Sequence, residues 1–308
     1  MNKRIVFCGT PSISVQVLKS LYQNGYQIEC VYTQPPIASH RGQKVNKSPV
    51  HLISETLNLI TRTPAALNNE EEKNSLKRLN IDLGITVAYG QILNKDFLNI
   101  PKYGWINVHY SLLPKFRGAS PVQRAIMEGE NLTGVSIMQM REQLDSGPIC
   151  NQYPVKIISN ENSEDLAKRL STIASEKIIE NIDDIFEGKA VFREQDHKKA
   201  TYAKKIDKAE GKISWDENAK KIIGKVNGLY PFPGAFFNYK GERYKILKAE
   251  LSSAAGEPGL ILNDNFEIGC ANDSIRILEI QRQGKKVQKI AEFMLGTQMK
   301  KGINLKDA

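Results

Sequence analysis

The feature that most constrains this chain is the alternation of short apolar segments with helical segments over its first half. One apolar segment, Ile81–Ala88, is almost continuous, as a strand buried on both faces of a sheet should be. A helical stretch follows the first apolar segment and ends at Gly25. Strands that alternate with helices predict an α/β domain with a largely parallel, Rossmann-like sheet. The predicted strands are Arg4–Cys8, Ile28–Thr33, Ile81–Ala88, Trp105–His109 and Val135–Met140.

Two later helices in this half carry clear start and stop signals. A capping box with proline at the first helical position begins one helix at Ser120, and Gly129 ends it. A long amphipathic pattern predicts a second helix over Ser163–Phe186, which closes at Gly188. We expect that helix to complete a first domain over residues 1–189, followed by a polar, basic linker over 190–207.

From Lys208 onward the pattern changes to short strands, with a hairpin turn at Lys240-Gly241. This spacing predicts a second domain over 208–308, a small antiparallel β-barrel similar to oligonucleotide-binding barrels. Seventeen basic residues against twelve acidic ones make this part positive. The predicted strands are Ala235–Tyr239, Tyr244–Leu251, Gly259–Leu262, Phe266–Cys270 and Ile275–Ile280.

Composition excludes several classes of protein. No apolar run is long enough to cross a bilayer, and the first residues lack the pattern of a secretory or transit peptide, so we expect a cytoplasmic protein. The four cysteines and four histidines are scattered without metal-ligand spacing, and we expect no metal. The formal net charge of +9 would suit an acidic partner such as nucleic acid, although solubility alone could also explain it.

Three polar side chains are candidates for chemistry at strand ends. Asn107 and His109 lie two residues apart at the end of a predicted strand, so their side chains share one face. An Asn and a His that converge at such an edge can stabilise an oxyanion, and the His can move protons. Asp145 follows another strand in a Leu-Asp-Ser-Gly loop and could tune His109. Taken singly, a core histidine or an Asp-Ser-Gly turn is more often structural.

A third strand end, over Ala88–Leu93, leaves backbone groups free to bind a flat heterocycle. The segments Asn107–Pro114, Lys115–Ile126, Thr133–Met140 and Leu144–Gly147 together resemble the core of the formyltetrahydrofolate-dependent formyltransferases. Within that superfamily the similarity is to the branch that acts on methionyl-tRNA, and it covers essentially the whole chain in order. The segments that carry this are Phe7–Ser12, Thr33–Val50, Val87–Leu93, Arg117–Arg124, Tyr230–Ala235 and Phe293–Gly296.

The resemblance implies a reaction and a set of site residues. It implies 10-formyltetrahydrofolate as cosubstrate, initiator methionyl-tRNA as acceptor, no metal and no membrane, and we expect a monomer. The catalytic residues would be Asn107, His109 and Asp145. The folate site would comprise Ser111, Leu112, Leu113 and Pro114 with Gln91, Ile92 and Leu93, and the tRNA loop, Pro35–Pro49, would contribute Arg41, Lys44 and Lys47.

Two positions depart from the family pattern, and three other functions stay open. Tyr110 and Gln143 stand where the family commonly has glycine, and both border the site. A formyltransferase acting on a purine precursor or a nucleotide sugar is one alternative, which the second domain and the long basic loop disfavour. A nicotinamide oxidoreductase is another, but Gly9-Thr10-Pro11-Ser12 replaces the glycine-rich fingerprint. A non-catalytic RNA-binding protein is the third.

Overall fold

The structure is a computed structural model that describes residues 3–39 and 44–306. Its backbone separates into two compact units. The first comprises residues up to 121 together with 133–155 and 167–203, and the second comprises 122–132, 156–166 and the residues from 204 onward. The predicted linker, 190–207, is therefore divided between them: residues up to Ala203 belong to the first unit and the remainder to the second.

The first unit is built on a seven-stranded sheet, and its predicted class is confirmed. The strand order is β5-β2-β1-β6-β7-β8-β9; the strands from β5 to β7 are parallel, and β8 runs antiparallel to β7. A separate hairpin pairs β3 with β4. The strands are β1 Arg4–Gly9, β2 Gln27–Tyr32, β3 Ile37–Ser39, β4 Lys44–Asn46, β5 Thr61–Arg62, β6 Leu83–Val87, β7 Trp105–His109, β8 Leu132–Gln139 and β9 Ile149–Lys156.

Helices fill most connections between these strands, and the long predicted helix is present over the expected residues. The helices are α1 Val15–Gln23, α2 Pro49–Thr56, α3 Glu70–Arg78, α4 Lys95–Leu98, α5 Pro121–Met127 and α6 Ser163–Phe186. Three connecting helices, α2, α3 and α4, and the strands β3, β4, β5 and β9 were not predicted. Helix α3 and strand β9 carry many polar residues, and α4, β3, β4 and β5 are only two to four residues long.

The strand order places a topological switch point between β1 and β6. From β1 the chain proceeds to β2 and β5 on one side, and β6 and β7 are added on the other. The loops at the carboxyl ends of β1 and β6 are tied together there, since Thr10 Oγ1 donates to the Tyr89 carbonyl (2.9 Å) and Ser14 Oγ to the Val87 carbonyl (2.6 Å). In open α/β sheets, ligands bind outside such a switch point.

The second unit contains a five-stranded antiparallel sheet, which confirms the predicted β-rich second domain as a half-barrel. The strand order is β10-β11-β13-β12, and β14 also pairs with β13. The strand predicted over Gly259–Leu262 is wrong: two isolated bridges, at Leu260 and Ile261, replace it. The elements are α7 Ala219–Gly228, β10 Ala235–Tyr239, β11 Glu242–Ser252, β12 Glu267–Gly269, β13 Ser274–Arg282, β14 Val287–Lys289 and α8 Ile290–Gly296.

Helix α5 packs against α7 inside this unit through a pair of glycines. A Cβ on Gly224 would lie 3.0 Å from the Met127 carbonyl oxygen, and one on Gly228 would lie 2.9 Å from the Gln123 carbonyl oxygen. The two helix backbones therefore approach each other more closely than any larger side chain would permit. Arg124 adds an ion pair from α5 to Glu210 at 2.6 Å.

No helix within residues 3–39 and 44–306 is long and apolar enough to span a membrane.

Candidate active site

Asn107 is oriented by the neighbouring strand. In the register of β6 and β7, Thr86 lies beside Asn107, and its hydroxyl donates to Asn107 Oδ1 at 3.0 Å. The amide nitrogen consequently points the other way and donates to Asp145 Oδ1 at 3.1 Å. Nδ2 carries two hydrogens, so one N–H remains beyond the bond to Asp145.

His109 is buried, and its two ring nitrogens have different surroundings. Nε2 lies 2.9 Å from the carbonyl oxygen of Phe116, and since a carbonyl only accepts, Nε2 carries a hydrogen. Nδ1 faces Asp145 Oδ2 at 3.7 Å. The nitrogen available for proton exchange is therefore Nδ1, on the side of the carboxylate.

The carboxylate of Asp145 is held by one donor on each oxygen. Oδ1 accepts from Asn107, and Oδ2 accepts from the backbone N–H of Gly118 at 2.8 Å. Gly118 has φ +121°, and a Cβ there would lie 2.7 Å from the Ala203 carbonyl oxygen, so only glycine fits this close approach. Asp145 itself has φ +46°, which places its turn in the left-handed region.

The predicted catalytic residues thus converge. An amide donor, an imidazole nitrogen and a carboxylate lie together at the carboxyl end of β7, with the Asp145 carboxylate 10% exposed. Such a cluster can stabilise an oxyanion and relay a proton. In the parts of the chain that the structure describes, no three His, Cys, Asp or Glu side chains form a group that could hold a metal ion.

The segment Ser111–Pro114 continues directly from β7 and is fixed by its own polar contacts. Ser136 Oγ donates to the Ser111 carbonyl at 2.6 Å, and Gln152 Nε2 donates to the Leu113 carbonyl at 2.8 Å. The Leu113–Pro114 bond is cis. Leu112 and Pro114 are half-buried, while Ser111 and Leu113 are buried. Within this segment, Leu112 and Pro114 are therefore the residues whose side chains are accessible to a ligand.

The stretch Gln91–Leu93 follows β6 and is anchored on the loop before α3. The side-chain amide of Gln91 accepts from Leu67 N at 2.7 Å and donates to the Pro64 carbonyl at 3.0 Å. Ile92 is 74% exposed, and its carbonyl already accepts from Asn68 Nδ2. Leu93 is buried.

The two positions that depart from the family pattern differ in their surroundings. Tyr110 follows His109, so strand alternation directs its side chain away from the catalytic face, and its hydroxyl donates to the Ile13 carbonyl at 2.9 Å. Burial raises the pKa of the Tyr110 phenol well above its usual range. Gln143 lies in the Asp145 loop, where its carbonyl accepts from Ser146 Oγ at 2.8 Å.

The predicted tRNA loop is described only in part. Arg41 lies outside the described residues, and for Lys44 the description is limited to its place at the start of β4. Lys47 is exposed and pairs with Glu55, with 2.5 Å between Nζ and Oε1.

Several residues that build the site were missed by the sequence analysis. Thr86 looked like one more residue of an apolar strand, and only its register with Asn107 reveals its contact. Gln195, in the predicted linker, donates to the carbonyls of Asp145 and Gly147. No local sequence signal points to either contact, because each joins residues far apart in the chain.

Comparison with known proteins identifies the family of the chain. Residues 3–182 match the formyl transferase family model, and residues 205–298 match the model of the formyl transferase C-terminal domain. The chain is 57% identical over 307 residues to methionyl-tRNA formyltransferase of Pelagibacter ubique, covering 99% of each chain. The chain belongs to the methionyl-tRNA formyltransferase family. It is also 41% identical over 297 residues to the enzyme of that name from Caulobacter vibrioides, covering 95% of this chain and 96% of that one.

Solved structures share the fold. WlaRD, a sugar 3N-formyl transferase, superposes with a TM-score of 0.69 at 19% identity, covering 93% of this chain and 100% of that one. HypX from Aquifex aeolicus, solved with tetrahydrofolic acid, gives 0.67 at 16% identity and covers 96% of this chain, which spans 47% of the HypX chain. The α/β fold with its second, antiparallel unit and the formyltransferase activity predicted from the sequence are confirmed by these matches.

Proposed function

We propose that this formyltransferase carries out its reaction at the cluster of Asn107, His109 and Asp145. The reaction moves the formyl group of 10-formyltetrahydrofolate to the α-amino group of methionine on initiator methionyl-tRNA. The full-length similarity to methionyl-tRNA formyltransferases supports this reaction. The observation that supports the site is the convergence of all three polar side chains at the carboxyl end of β7.

The chemistry begins with attack by the neutral amine on the formyl carbon, which places a negative charge on the formyl oxygen. Asn107 Nδ2 has one N–H bound to Asp145 and a second to offer that oxygen. Thr86 fixes the amide in the orientation that keeps Nδ2 on the substrate side. A donor held in place before the reaction stabilises the developing charge without reorganisation.

His109 contributes through Nδ1. With its Nε2–H committed to the Phe116 carbonyl, the ring can donate to a substrate oxygen only from a protonated Nδ1, beside the Asp145 carboxylate. The ring holds this proton throughout the cycle, so the proton that leaves the amine passes through Asp145 alone. Its Nδ1–H is a second donor for the oxyanion.

Asp145 transfers the proton that must leave the attacking amine. Each carboxylate oxygen accepts one protein hydrogen bond and keeps a further lone pair. Through an ordered water, Asp145 accepts a proton from the amine nitrogen once that nitrogen has bonded to the formyl carbon. It then passes the proton to N10 of the folate as the bond between the formyl carbon and N10 breaks. The enzyme ends the cycle in its starting protonation state, and no covalent enzyme intermediate is needed.

The donor would bind along two strand ends that meet near the cluster. We assign the folate to Ser111, Leu112, Leu113 and Pro114 and to the backbone of Gln91, Ile92 and Leu93. Half-buried Leu112 and Pro114 and exposed Ile92 provide apolar surface for a flat ring.

The acceptor tRNA would be held by the loop between β2 and α2. Arg41, Lys44 and Lys47 are assigned to its phosphates, and the net positive charge of the chain favours such a polyanion. A cytoplasmic location, a monomeric state and independence from metal remain predictions that accompany this function.

A transfer assay across acceptors tests the proposal. Purified protein with radiolabelled 10-formyltetrahydrofolate should label charged initiator tRNA and leave free methionine and a nucleotide-linked amino sugar unlabelled. Label on the amino sugar instead would assign the chain to a sugar formyltransferase activity. Uncharged tRNA is the matched control, because it offers the same phosphates without the amine.

A further inference from the structure

Gln195 holds the turn that carries Asp145, from a segment that lies fifty residues further along the chain. Its Nε2 donates to the carbonyl oxygens of Asp145 (2.9 Å) and Gly147 (2.7 Å). The side chain is buried, with 5% of its surface exposed. One amide therefore binds two backbone groups of the same turn.

Gln195 is in turn fixed by Arg117. Nε and Nη2 of the guanidinium donate to Gln195 Oε1 at 3.1 and 2.7 Å, and Nη2 also lies 3.0 Å from Nδ1 of His197. Arg117 is 1% exposed, and its contacts leave the glutamine amide only one orientation, with Nε2 toward the Asp145 turn. The next residue, Gly118, donates its backbone N–H to the Asp145 carboxylate.

The segment around Gln195 is itself attached to the first unit by backbone pairing. Arg193 and Ile149 exchange two hydrogen bonds (2.8 and 2.9 Å), and Arg117 is bracketed by backbone bonds to Thr201 (2.8 Å) and Ala203 (2.7 Å). The backbone on both sides of Gln195 in the sequence is therefore held in place by hydrogen bonds.

Only an amide side chain as long as that of glutamine matches the donors and acceptors around it. The turn offers two acceptors, and Arg117 offers two donors to one acceptor; a glutamine amide satisfies both sides at once. Asp145 adopts φ +46°, a conformation that L residues adopt rarely and that surrounding contacts must maintain. The Asp145 carboxylate reaches both Asn107 and His109 only while this turn is kept.

We propose that Gln195, oriented by Arg117, is a positioning residue for formyl transfer, acting by fixing the turn that aims Asp145 at Asn107 and His109. This inference rests on the proposed function, because it takes Asp145 as part of the catalytic cluster. A displacement of about 1 Å in such a group can cost roughly 100-fold in rate.

The test compares Gln195→Met and Gln195→Asn with Asn181→Leu. Met keeps the length of the side chain without its donors, and Asn keeps the amide but is one methylene too short to reach both carbonyls. Asn181 is a buried amide of the same unit that bonds Tyr153 and the Lys177 carbonyl, so its loss is a matched perturbation outside the site. All variants are assayed well below their melting temperatures, with kcat and both KM values measured.

Both Gln195 variants should lose about 10- to 100-fold in kcat, with KM for folate and for tRNA changed by less than about two-fold. Asn181→Leu should lower the melting temperature and leave kcat near the wild-type value. In an Asp145→Asn background, Gln195→Met should cause no further loss, because its effect passes through the missing carboxylate.

Three results would overturn the inference: normal kcat in both Gln195 variants, a kcat loss in Asn181→Leu that matches theirs, or additive losses in the double mutant. The proposed function fails separately. If Asp145→Asn alone retains turnover, the catalytic assignment is wrong whatever Gln195 does; if Asp145→Asn is inactive while both Gln195 variants are normal, only the positioning role is wrong.

Discussion

The proposed catalytic cluster of Asn107, His109 and Asp145 and the hairpin between β2 and α2 lie in the same unit but differ in how far their side chains are exposed. At the cluster, His109 is buried and the Asp145 side chain is 10% exposed, and their polar atoms face protein donors and acceptors. In the described part of the hairpin, Ile37 is 69% exposed and Val45 is 67% exposed, so apolar side chains stand in water. Lys47 beside it makes a surface ion pair.

The difference in exposure indicates whether each region is held in place by the protein itself or by a binding partner. The cluster is arranged by the protein before any substrate arrives, which is what stabilisation of a transient charge requires. The described part of the hairpin exposes the apolar side chains of Ile37 and Val45, whose burial would need a partner, which is typical of a recognition surface. Substitutions in the first region should therefore change kcat, and those in the second should change KM for tRNA.

The largest effect is expected for Asp145→Asn. The substitution keeps the shape of the side chain but removes the charge beside His109 and the proton acceptor, so kcat should fall by about 100-fold or more. Single-turnover formylation of charged initiator tRNA measures this directly. Unchanged thermal unfolding is the control, and near-normal kcat would remove Asp145 from catalysis.

The next largest effect is expected for Arg41, in the loop assigned to tRNA. Arg41→Ala should lower kcat/KM for tRNA by roughly 10-fold or more, since a guanidinium can make forked contacts to phosphate, and Arg41→Lys should restore only part of it. KM for the folate donor should not change, because the donor is assigned to other loops. Equal weakening for both substrates would mean that this residue supports structure instead of binding tRNA.

A smaller effect, again on kcat, is expected for Thr86→Val. Valine keeps the volume but cannot donate to Asn107 Oδ1, so the amide is free to rotate its nitrogen away from Asp145. One lost buried hydrogen bond predicts a decrease of about 10-fold, and Thr86→Ser should recover most of it. If Thr86→Val keeps full turnover, the amide orientation does not depend on this hydroxyl.

The smallest effects should come from Lys47 and its partner, with opposite signs. Lys47→Ala removes a cation near the tRNA loop and should reduce the salt dependence of tRNA affinity by about one phosphate contact, while the melting temperature changes little. Glu55→Gln releases Lys47 and removes a negative charge, so tRNA affinity should rise slightly. A filter-binding titration at several salt concentrations measures both, and equal shifts of the same sign would contradict a role for Lys47.

The sequence predicted those parts of the fold and site that depend on local periodicity. Alternation along one strand placed Asn107 and His109 on the same face, and the apolar stripe of Ser163–Phe186 predicted α6 over its full length. Helix α3 was missed because every residue in it except Leu76 is polar or charged, and its buried side includes Glu72, which is held by Arg62 and Tyr32.

Contacts between distant segments were beyond sequence reasoning. Strand register brings Thr86 to Asn107, and the return of the chain past α6 brings Gln195 to Asp145. The stretch around Gln195 has the polar, basic composition of a linker, because its buried groups are hydrogen-bonding ones and not apolar ones. The strand predicted over Gly259–Leu262 was wrong, in part for a related reason: Leu260 bridges to Asn304, more than forty residues along the chain, while Ile261 bridges to Ile268.

The close packing of α5 on α7 has a consequence for biosynthesis. Helix α5 is synthesised about a hundred residues before the glycines of α7 that pack against it. During translation, the face of α5 at Gln123 and Met127 is therefore uncovered until α7 has been made. Contacts of such long sequence separation form late in folding. We therefore expect a ribosome-bound chain that stops at residue 189 to expose this helix face, and we expect chaperones that bind exposed apolar surface to bind it.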